Sequence, residues 1–149
     1  MSDSIFLVSI SGDDRPGLMT DLCSALFSHK AEILDIGQAT IHSELALGLL
    51  VRVSDEVDRV ELESSISKSL DGKALRLTVS QVSSDRYKKW IKESGQERFI
   101  LTLLSKERDS LILKEVSQLT HEYHLNIDTI RRLTDRNAVN LVDPKVCVE

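Results

Sequence analysis

The sequence has few of the residues that build disulfide or metal sites. Its 149 residues include only two cysteines, Cys23 and Cys147, which stand far apart and belong to no C-x-x-C pair. This spacing gives no support to a zinc site or a redox motif. We interpret Cys23, which falls on an apolar helix stripe, as an ordinary buried thiol.

Long apolar runs and a basic charge excess are also missing. A membrane-spanning helix needs about 20 apolar residues in a row, and no apolar stretch of the sequence approaches that length. We also expect no signal peptide, because the sequence runs directly into a strand-like segment. Lysine and arginine number 19 against 24 acidic residues, a net charge of −5, whereas nucleic-acid surfaces need clustered basic residues. We therefore expect a cytoplasmic protein with neither a nucleic-acid nor a membrane partner. The densest basic stretch, residues 86–92, favours a solvated linker helix over a polyanion site.

Local catalytic motifs are absent as well. The sequence contains no D-x-D-x-T run, no G-x-S-x-G and no H-E-x-x-H, nor a P-loop or G-x-G-x-x-G. His121 and His124 stand near a predicted helix end, where a solvated terminus is favoured over a metal site. A Ser/His/Asp set assembled from distant residues stays open but is disfavoured, because nothing in the sequence places such residues together.

What the sequence does have is an internal repeat. Residues 6–10 and residues 99–103 are similar and stand 93 positions apart. The same offset continues without a gap and pairs Asp35 with Asp128. Such a run indicates two copies of one small domain.

The second copy is expected to be incomplete. At the offset of the repeat, Glu149 corresponds to Glu56, well before the first copy ends near Val82. We therefore expect this chain to be part of a longer protein. The predicted organisation is a first domain over residues 1–83, a linker over 84–97 and a truncated second domain over 98–149.

The hydrophobic pattern of the first copy predicts the order strand, helix, strand, strand, helix, strand. This order indicates an α+β, ferredoxin-like βαββαβ domain, with a four-stranded antiparallel sheet and both helices on one face. Leu7 and Ser9 would lie on the other face. We expect Gly37 to mark a bulge or a point of close approach. The predicted elements are strands over 5–11, 33–42, 45–53 and 75–79 and helices over 16–30 and 57–70, with a hairpin turn at Ser43-Glu44 and a short linker helix near 86–93.

The same reasoning predicts the elements of the second copy. They are a strand over 98–104, a helix over 109–124, a strand over 127–134 and a possible strand over 145–148. A sheet without its last strand and second helix exposes an edge and an apolar face. We therefore expect the chain to associate with another copy or to pack on its own first domain.

Two features could hold a ligand. Residues 12–17 lead into a helix, where an Asp can cap and a Pro suits the first turn. Free backbone amides at this end suit a carboxylate or phosphate, although a plain capped helix start explains the pattern too. Asp35 and Asp128, at the start of the second strand in each copy, could hold an ammonium group or could be ordinary polar residues. Amides and aspartate together would fit a zwitterion.

These stretches resemble ACT domains, small regulatory modules that often bind amino acids. Residues 8–18, which contain the 12–17 loop, are similar to the opening of an ACT domain. Residues 33–42 and 45–50 are similar to the N-terminal region of bacterial phosphoserine phosphatases that carry tandem ACT domains. Residues 126–133 resemble the matching segment of their second ACT domain. The resemblance covers nearly the whole chain.

The resemblance implies a parent enzyme that hydrolyses O-phospho-L-serine to L-serine and phosphate. Its magnesium would lie in a haloacid-dehalogenase-like catalytic domain that carries the D-x-D-x-T nucleophile and is missing here. We therefore predict that this chain needs no cofactor and is inactive by itself.

The resemblance also implies where a ligand binds, namely near the first loop and the second strand, at interfaces between ACT domains. L-serine or a related small amino acid is the expected ligand, and a homodimer the expected assembly. The second copy's loop, residues 105–110, lacks the proline and the glycines, so its binding role stays open. The implied ligand-binding residues are Asp14, Arg15, Pro16, Gly17, Leu18, Asp35, Ile36 and Gln38 in the first copy and Asn126, Ile127 and Asp128 in the second.

Two other functions remain open from the sequence. One is a stand-alone tandem-ACT regulator of glycine or amino-acid metabolism that acts by protein contacts, although such a protein would complete its second domain. The other is a dimerisation module without a ligand. A D-x-D-x-T run downstream of Glu149 would identify the parent enzyme.

Overall fold

The structure is a computed structural model, and it describes residues 3–70, 74–93, 95, 97–103 and 110–131. The chain divides into two compact units, residues 1–95 and residues 96–149. Each unit is described by itself.

The first unit is an α+β domain whose sheet has the order β2-β3-β1-β4, with every neighbouring pair antiparallel. This confirms the predicted ferredoxin-like fold. A short helix follows the last strand, as expected. The elements are β1 (Asp3–Asp13), α1 (Leu18–Ser28), β2 (Glu32–Ile41), β3 (Glu44–Ser54), α2 (Arg59–Leu70), β4 (Leu75–Val82) and α3 (Ser84–Glu93).

The core lies between one face of the sheet and the two helices α1 and α2. Alternate residues of β1 and β3 point into it, because side chains alternate between the faces of a strand. Helical spacing brings Leu22 of α1 and Leu62 and Ile66 of α2 to the same core, where all three are fully buried. Burying a side chain of this size contributes about 1.5–3 kcal/mol, so these contacts dominate the stability of the unit. The sheet residues of the core are Phe6, Val8, Ile10, Leu45, Leu47, Leu49, Val51, Val53 and Val79.

The opposite side of the sheet, which we call the helix-free face, carries the other residues of each strand. Leu7 stands opposite Leu50 of β3, and Ser9 stands opposite Gly48. Leu7 is 41% exposed. The predicted placement of Leu7 and Ser9 on this face is confirmed.

Some local expectations in this unit are wrong. The irregular point of β2 lies between Ile33 and Asp35, where the register with β3 shifts, and not at Gly37. The hairpin turn consists of His42 and Ser43, because Glu44 already belongs to β3. Cys23 is half-buried rather than buried, since it lies beside the core stripe of α1 and not within it.

The second unit contains the helix α4 (Ser110–Glu122), close to the predicted helix over 109–124. Residues 98–103 and 127–131 form neither strand nor helix, so the two predicted strands are wrong over these residues. A strand needs hydrogen-bonded neighbours, and an apolar pattern alone does not supply them. Phe99 and Ile100 are accordingly exposed. The rest of these strands, and the possible strand over 145–148, lie outside the described residues.

None of the helices among the described residues combines the length and apolar character needed to cross a membrane.

Candidate functional site

The loop after β1, where the sequence predicted a ligand, is fixed at two points. Gly12 has a φ of 137°, and a Cβ built on it would lie 2.4 Å from the carbonyl oxygen of Ala74. Only glycine combines this backbone conformation with so close an approach. One step on, the Asp14 backbone N–H donates to the carbonyl oxygen of Ser43 at 3.0 Å. The loop is therefore held against β4 on one side and the β2–β3 turn on the other.

The loop leads into α1, and the start of this helix has no side-chain cap. Gly17 is the N-cap residue, with a φ of 85°, and no side chain of the described residues caps the helix by a hydrogen bond. The predicted aspartate cap is therefore wrong, because the left-handed glycine makes the turn instead. Leu18 N–H bonds to the Arg15 carbonyl, and Asp21 N–H to that of Gly17. Among the described residues nothing bonds the N–H groups of Met19 and Thr20, and such amides favour an anion.

Arg15 folds over this helix start. Its Nη2 donates to Asp21 Oδ2 at 2.5 Å and its Nη1 donates to the Pro16 carbonyl oxygen at 3.3 Å. The side chain is 22% exposed, and its Nε is buried without a hydrogen-bond partner. The guanidinium adds positive charge beside the free amides, while Asp21 neutralises part of it. An incoming carboxylate would compete with Asp21 for this arginine.

The predicted residues of the second strand lie on β2. Asp35 stands opposite Leu50, which places it on the helix-free face, and its Oδ1 accepts the backbone N–H of Ile36 at 2.9 Å. Ile36 is 50% exposed, and Gln38 is exposed as well. Asp35 thus has its carboxylate at the surface, where a ligand can reach it.

Within a single chain, the loop after β1 and Asp35 of β2 are far apart. The end of β1 at Asp13 is level with Glu44 of β3 and Ile41 of β2. Asp35 lies six residues back along β2, which is about 20 Å at the usual rise of a strand. The structure therefore brings residues 14–18 together with one another but not with Asp35.

The second set of predicted residues belongs to the other unit. Asn126, Ile127 and Asp128 follow α4 in the irregular segment 125–131, and all three are exposed. No hydrogen bond or ion pair of the described residues involves them.

The sequence reasoning missed two charged residues, Glu44 and Arg76, that lie near Asp13 of the loop. Asp13, Glu44 and Arg76 line a cavity of about 280 Å³ at the end of the sheet, together with Ser11, Gly12 and Ala74. Strand alternation could have placed Arg76 on the helix-free face, but its position beside the loop depends on the register between β1 and β4.

The described residues contain no cluster of three or more His, Cys, Asp or Glu side chains arranged to hold a metal ion. The free amides of α1, Arg15 and the exposed carboxylates suit recognition of charged groups.

Comparison with known proteins identifies the architecture. The ACT domain matches residues 4–81, slightly more than half of the chain. Phosphoserine phosphatase SerB2 of Mycobacterium tuberculosis is 29% identical over 76 residues, which are 50% of this chain and 19% of that protein. The UPF0237 protein MK1213 of Methanopyrus kandleri is 31% identical over 83 residues, 55% of this chain and 90% of that protein. The chain thus spans about a fifth of the phosphatase and nearly all of the second relative.

Two solved structures share the fold. A candidate glycine cleavage system transcriptional repressor aligns with a TM-score of 0.62 and 13% identity, over 99% of this chain and 80% of that one. A protein of unknown function from Galdieria sulphuraria aligns with a TM-score of 0.51 and 17% identity, over 85% of this chain and 97% of that one. At these identities the likeness concerns the fold alone.

Proposed function

The chain belongs to the ACT-domain family, and we propose that it is the amino-acid-binding regulatory region of a phosphoserine phosphatase. The full-length parent would hydrolyse O-phospho-L-serine to L-serine and phosphate in the cytoplasm, with magnesium in a catalytic domain outside this chain. The similarity to a phosphatase over half of this chain supports the proposal. In this role the chain senses a small amino acid, L-serine or a close relative.

The ligand site of this proposal is completed by a second copy of the chain. Antiparallel pairing of two β2 strands centred on Gln38 places Asp35 of one copy opposite Ile41 of the other. Ile41 ends β2 beside the turn of Ser43, to which Asp14 of the loop is bonded. The pairing therefore carries Asp35 toward the partner's loop. Amides and Arg15 would then hold the ligand carboxylate, and Asp35 its ammonium group.

The edge position of β2 is the observation that carries this proposal. Within the described part of the chain, β2 is the outermost strand on its side of the sheet, and its apolar side chains Ile33, Ile36 and Ile41 are 42%, 50% and 77% exposed. An exposed apolar edge strand is a template for pairing with another chain.

Regulation follows from linkage. A ligand held between two copies binds the dimer and not the separated chains, so it favours the dimeric arrangement. By reciprocity the dimer binds the ligand more tightly. In the full-length parent such a shift would change the arrangement of the catalytic domains.

Sedimentation velocity with isothermal titration calorimetry tests the proposal. The wild-type chain is expected to dimerise and to bind L-serine, glycine or O-phospho-L-serine at millimolar concentration. Ile36→Lys is expected to prevent dimerisation and to weaken binding together, because a charged residue on an edge strand opposes pairing. Ile91→Lys on α3, at the same 50% exposure, is the matched control. A folded dimer that binds none of the three amino acids would make the chain a ligand-free dimerisation module.

A second candidate function is a stand-alone regulator of amino-acid metabolism that acts by protein contacts. The fold match to a candidate transcriptional repressor, which extends along almost the whole chain, favours this function. The Methanopyrus kandleri relative favours it too, because the matched region makes up 90% of that protein and leaves no room for a catalytic domain. The reading frame downstream of Glu149 separates the two candidates. A D-x-D-x-T run there supports the phosphatase, whereas a reading frame that completes a second ACT domain and then stops supports the stand-alone regulator.

A further inference from the structure

The helix-free face carries a polar patch that the proposed function does not use. The register pairs Ser9 with Thr78 and Ser11 with Arg76 across β1 and β4, while Gly48 of β3 stands opposite Ser9. Directly paired residues have Cβ atoms about 5 Å apart. Three hydroxyl groups and one guanidinium therefore line a shallow, open cavity of about 330 Å³ on the sheet surface.

A second cavity of about 280 Å³ adjoins the first, because Ser11 and Arg76 line both. Asp13 and Glu44 line the second cavity and are direct partners in the β1–β3 register. Like charges directly opposite one another destabilise a sheet. Within the described part of the chain, no hydrogen bond or ion pair involves the side chain of Asp13, Glu44 or Arg76. Charges of both signs thus face one cavity without pairing.

We infer that the two cavities form a site for a small zwitterion, separate from the site at the β2 edge. An ammonium group between Asp13 and Glu44 relieves their repulsion. The guanidinium of Arg76 offers a fork of donors to a carboxylate or phosphate, and the hydroxyls of Ser9 and Ser11 add donors. Ser11 and Asp13 stand two residues apart on one face, about 7 Å, a span that one amino acid or phosphorylated amine bridges.

The floor of the site supports this inference. A Cβ built on Gly48 meets no atom within 4 Å, so the space above this glycine is open. A larger residue at this position would occupy the cavity without a clash in the free protein. Gly37, the β2 partner of Gly48, also has no atom within 4 Å of a built Cβ, but it does not line the cavity.

The test is an NMR titration of the uniformly ¹⁵N-labelled 149-residue chain. Glycine and phosphoethanolamine probe the carboxylate and phosphate forms of the ligand, and acetate and methylammonium probe its two halves. We expect the zwitterions to shift the amide signals of Ser9, Ser11 and Thr78. Their affinity should exceed that of either half by about tenfold, as one added charged hydrogen bond implies.

Two pairs of variants locate the site. Arg76→Gln is expected to weaken binding by about tenfold or more, whereas Arg52→Gln is expected to leave it unchanged. Arg52 shares the helix-free face but is bonded to Glu32 at 2.8 Å. Gly48→Val is expected to abolish binding by filling the cavity, and Gly37→Val to preserve it. The amide spectrum of each variant reports whether it folds.

The outcomes separate this site from the one at the β2 edge. Binding that survives Ile36→Lys but is lost in Arg76→Gln and Gly48→Val supports the second site. Equal loss in Arg76→Gln and Arg52→Gln, or no shift at Ser9, Ser11 and Thr78 up to tens of millimolar probe, would overturn it. Neither of these results concerns dimerisation through β2. The proposed function is therefore tested separately, by sedimentation velocity and calorimetry.

Discussion

Replacing single glycines by alanine tests the backbone geometry of the β1–α1 loop. At Gly12 a φ of 137° is strained for any L residue, at a cost of about 1–3 kcal/mol. The new methyl group would also lie 2.4 Å from the Ala74 carbonyl oxygen, and relieving such overpacking costs about 1–3 kcal/mol more. Gly12→Ala should therefore destabilise the first unit by about 4 kcal/mol, a large part of the total stability of about 5–15 kcal/mol of a small domain.

Two other glycines provide graded controls. Gly17 has a φ of 85°, but its nearest neighbour, Arg15 Nη1, is 3.7 Å from a built Cβ. Gly17→Ala should cost only the left-handed penalty of about 1–2 kcal/mol. Gly37→Ala has open space and should be neutral or stabilising by about 0.5–1 kcal/mol. Urea unfolding followed by far-ultraviolet circular dichroism measures all three. A Gly12→Ala chain within about 0.5 kcal/mol of wild type, or less destabilised than Gly17→Ala, would refute the reasoning.

The packing of the two helices leads to further predictions, measured by the same urea unfolding. Ile66→Ala in the core should cost about 2–5 kcal/mol, and the exposed Lys68→Ala no more than about 0.5 kcal/mol; equal effects would contradict the burial of Ile66. Ser69→Ala should cost about 1 kcal/mol, because the Ser69 hydroxyl donates to the Asp21 carbonyl oxygen at 2.6 Å and joins α2 to α1. Asp21→Asn removes the partly exposed ion pair with Arg15 and should change stability by less than about 1 kcal/mol. If Arg15 is freed for a ligand, the same variant should bind L-serine at least as tightly as wild type in calorimetry.

The fold of the first unit was predictable because its strands and helices carry clear periodicities. Alternation along β3 and the three apolar residues of α2 identify core side chains, and the core then requires a sheet covered by two helices on one face. The same pattern failed in the second unit. Residues 98–103 alternate much as β1 does, yet they form no strand, because backbone pairing depends on neighbours that a local pattern does not specify.

The candidate site was predictable in part. The glycines and proline of the loop indicate a constrained turn before a helix, which the structure has. The N-cap residue of α1 is Gly17 and not an aspartate. The sequence could not decide this, because several residues of the loop suit an N-cap position equally well. The distance between the loop and Asp35, and the place of Arg76 beside the loop, both depend on strand register. Register pairs residues far apart in sequence and follows only from the assembled sheet.

The dimer dissociation constant with and without L-serine tests the central claim most directly. Sedimentation equilibrium of the 149-residue chain gives this constant at increasing L-serine concentration. A ligand bound by residues of two copies must tighten the dimer by linkage, so we predict a dissociation constant that falls as L-serine rises through the millimolar range. In Ile36→Lys the chain should stay monomeric with or without the ligand. A folded wild-type dimer whose dissociation constant does not change with L-serine, glycine or O-phospho-L-serine would contradict an amino-acid site shared between two copies.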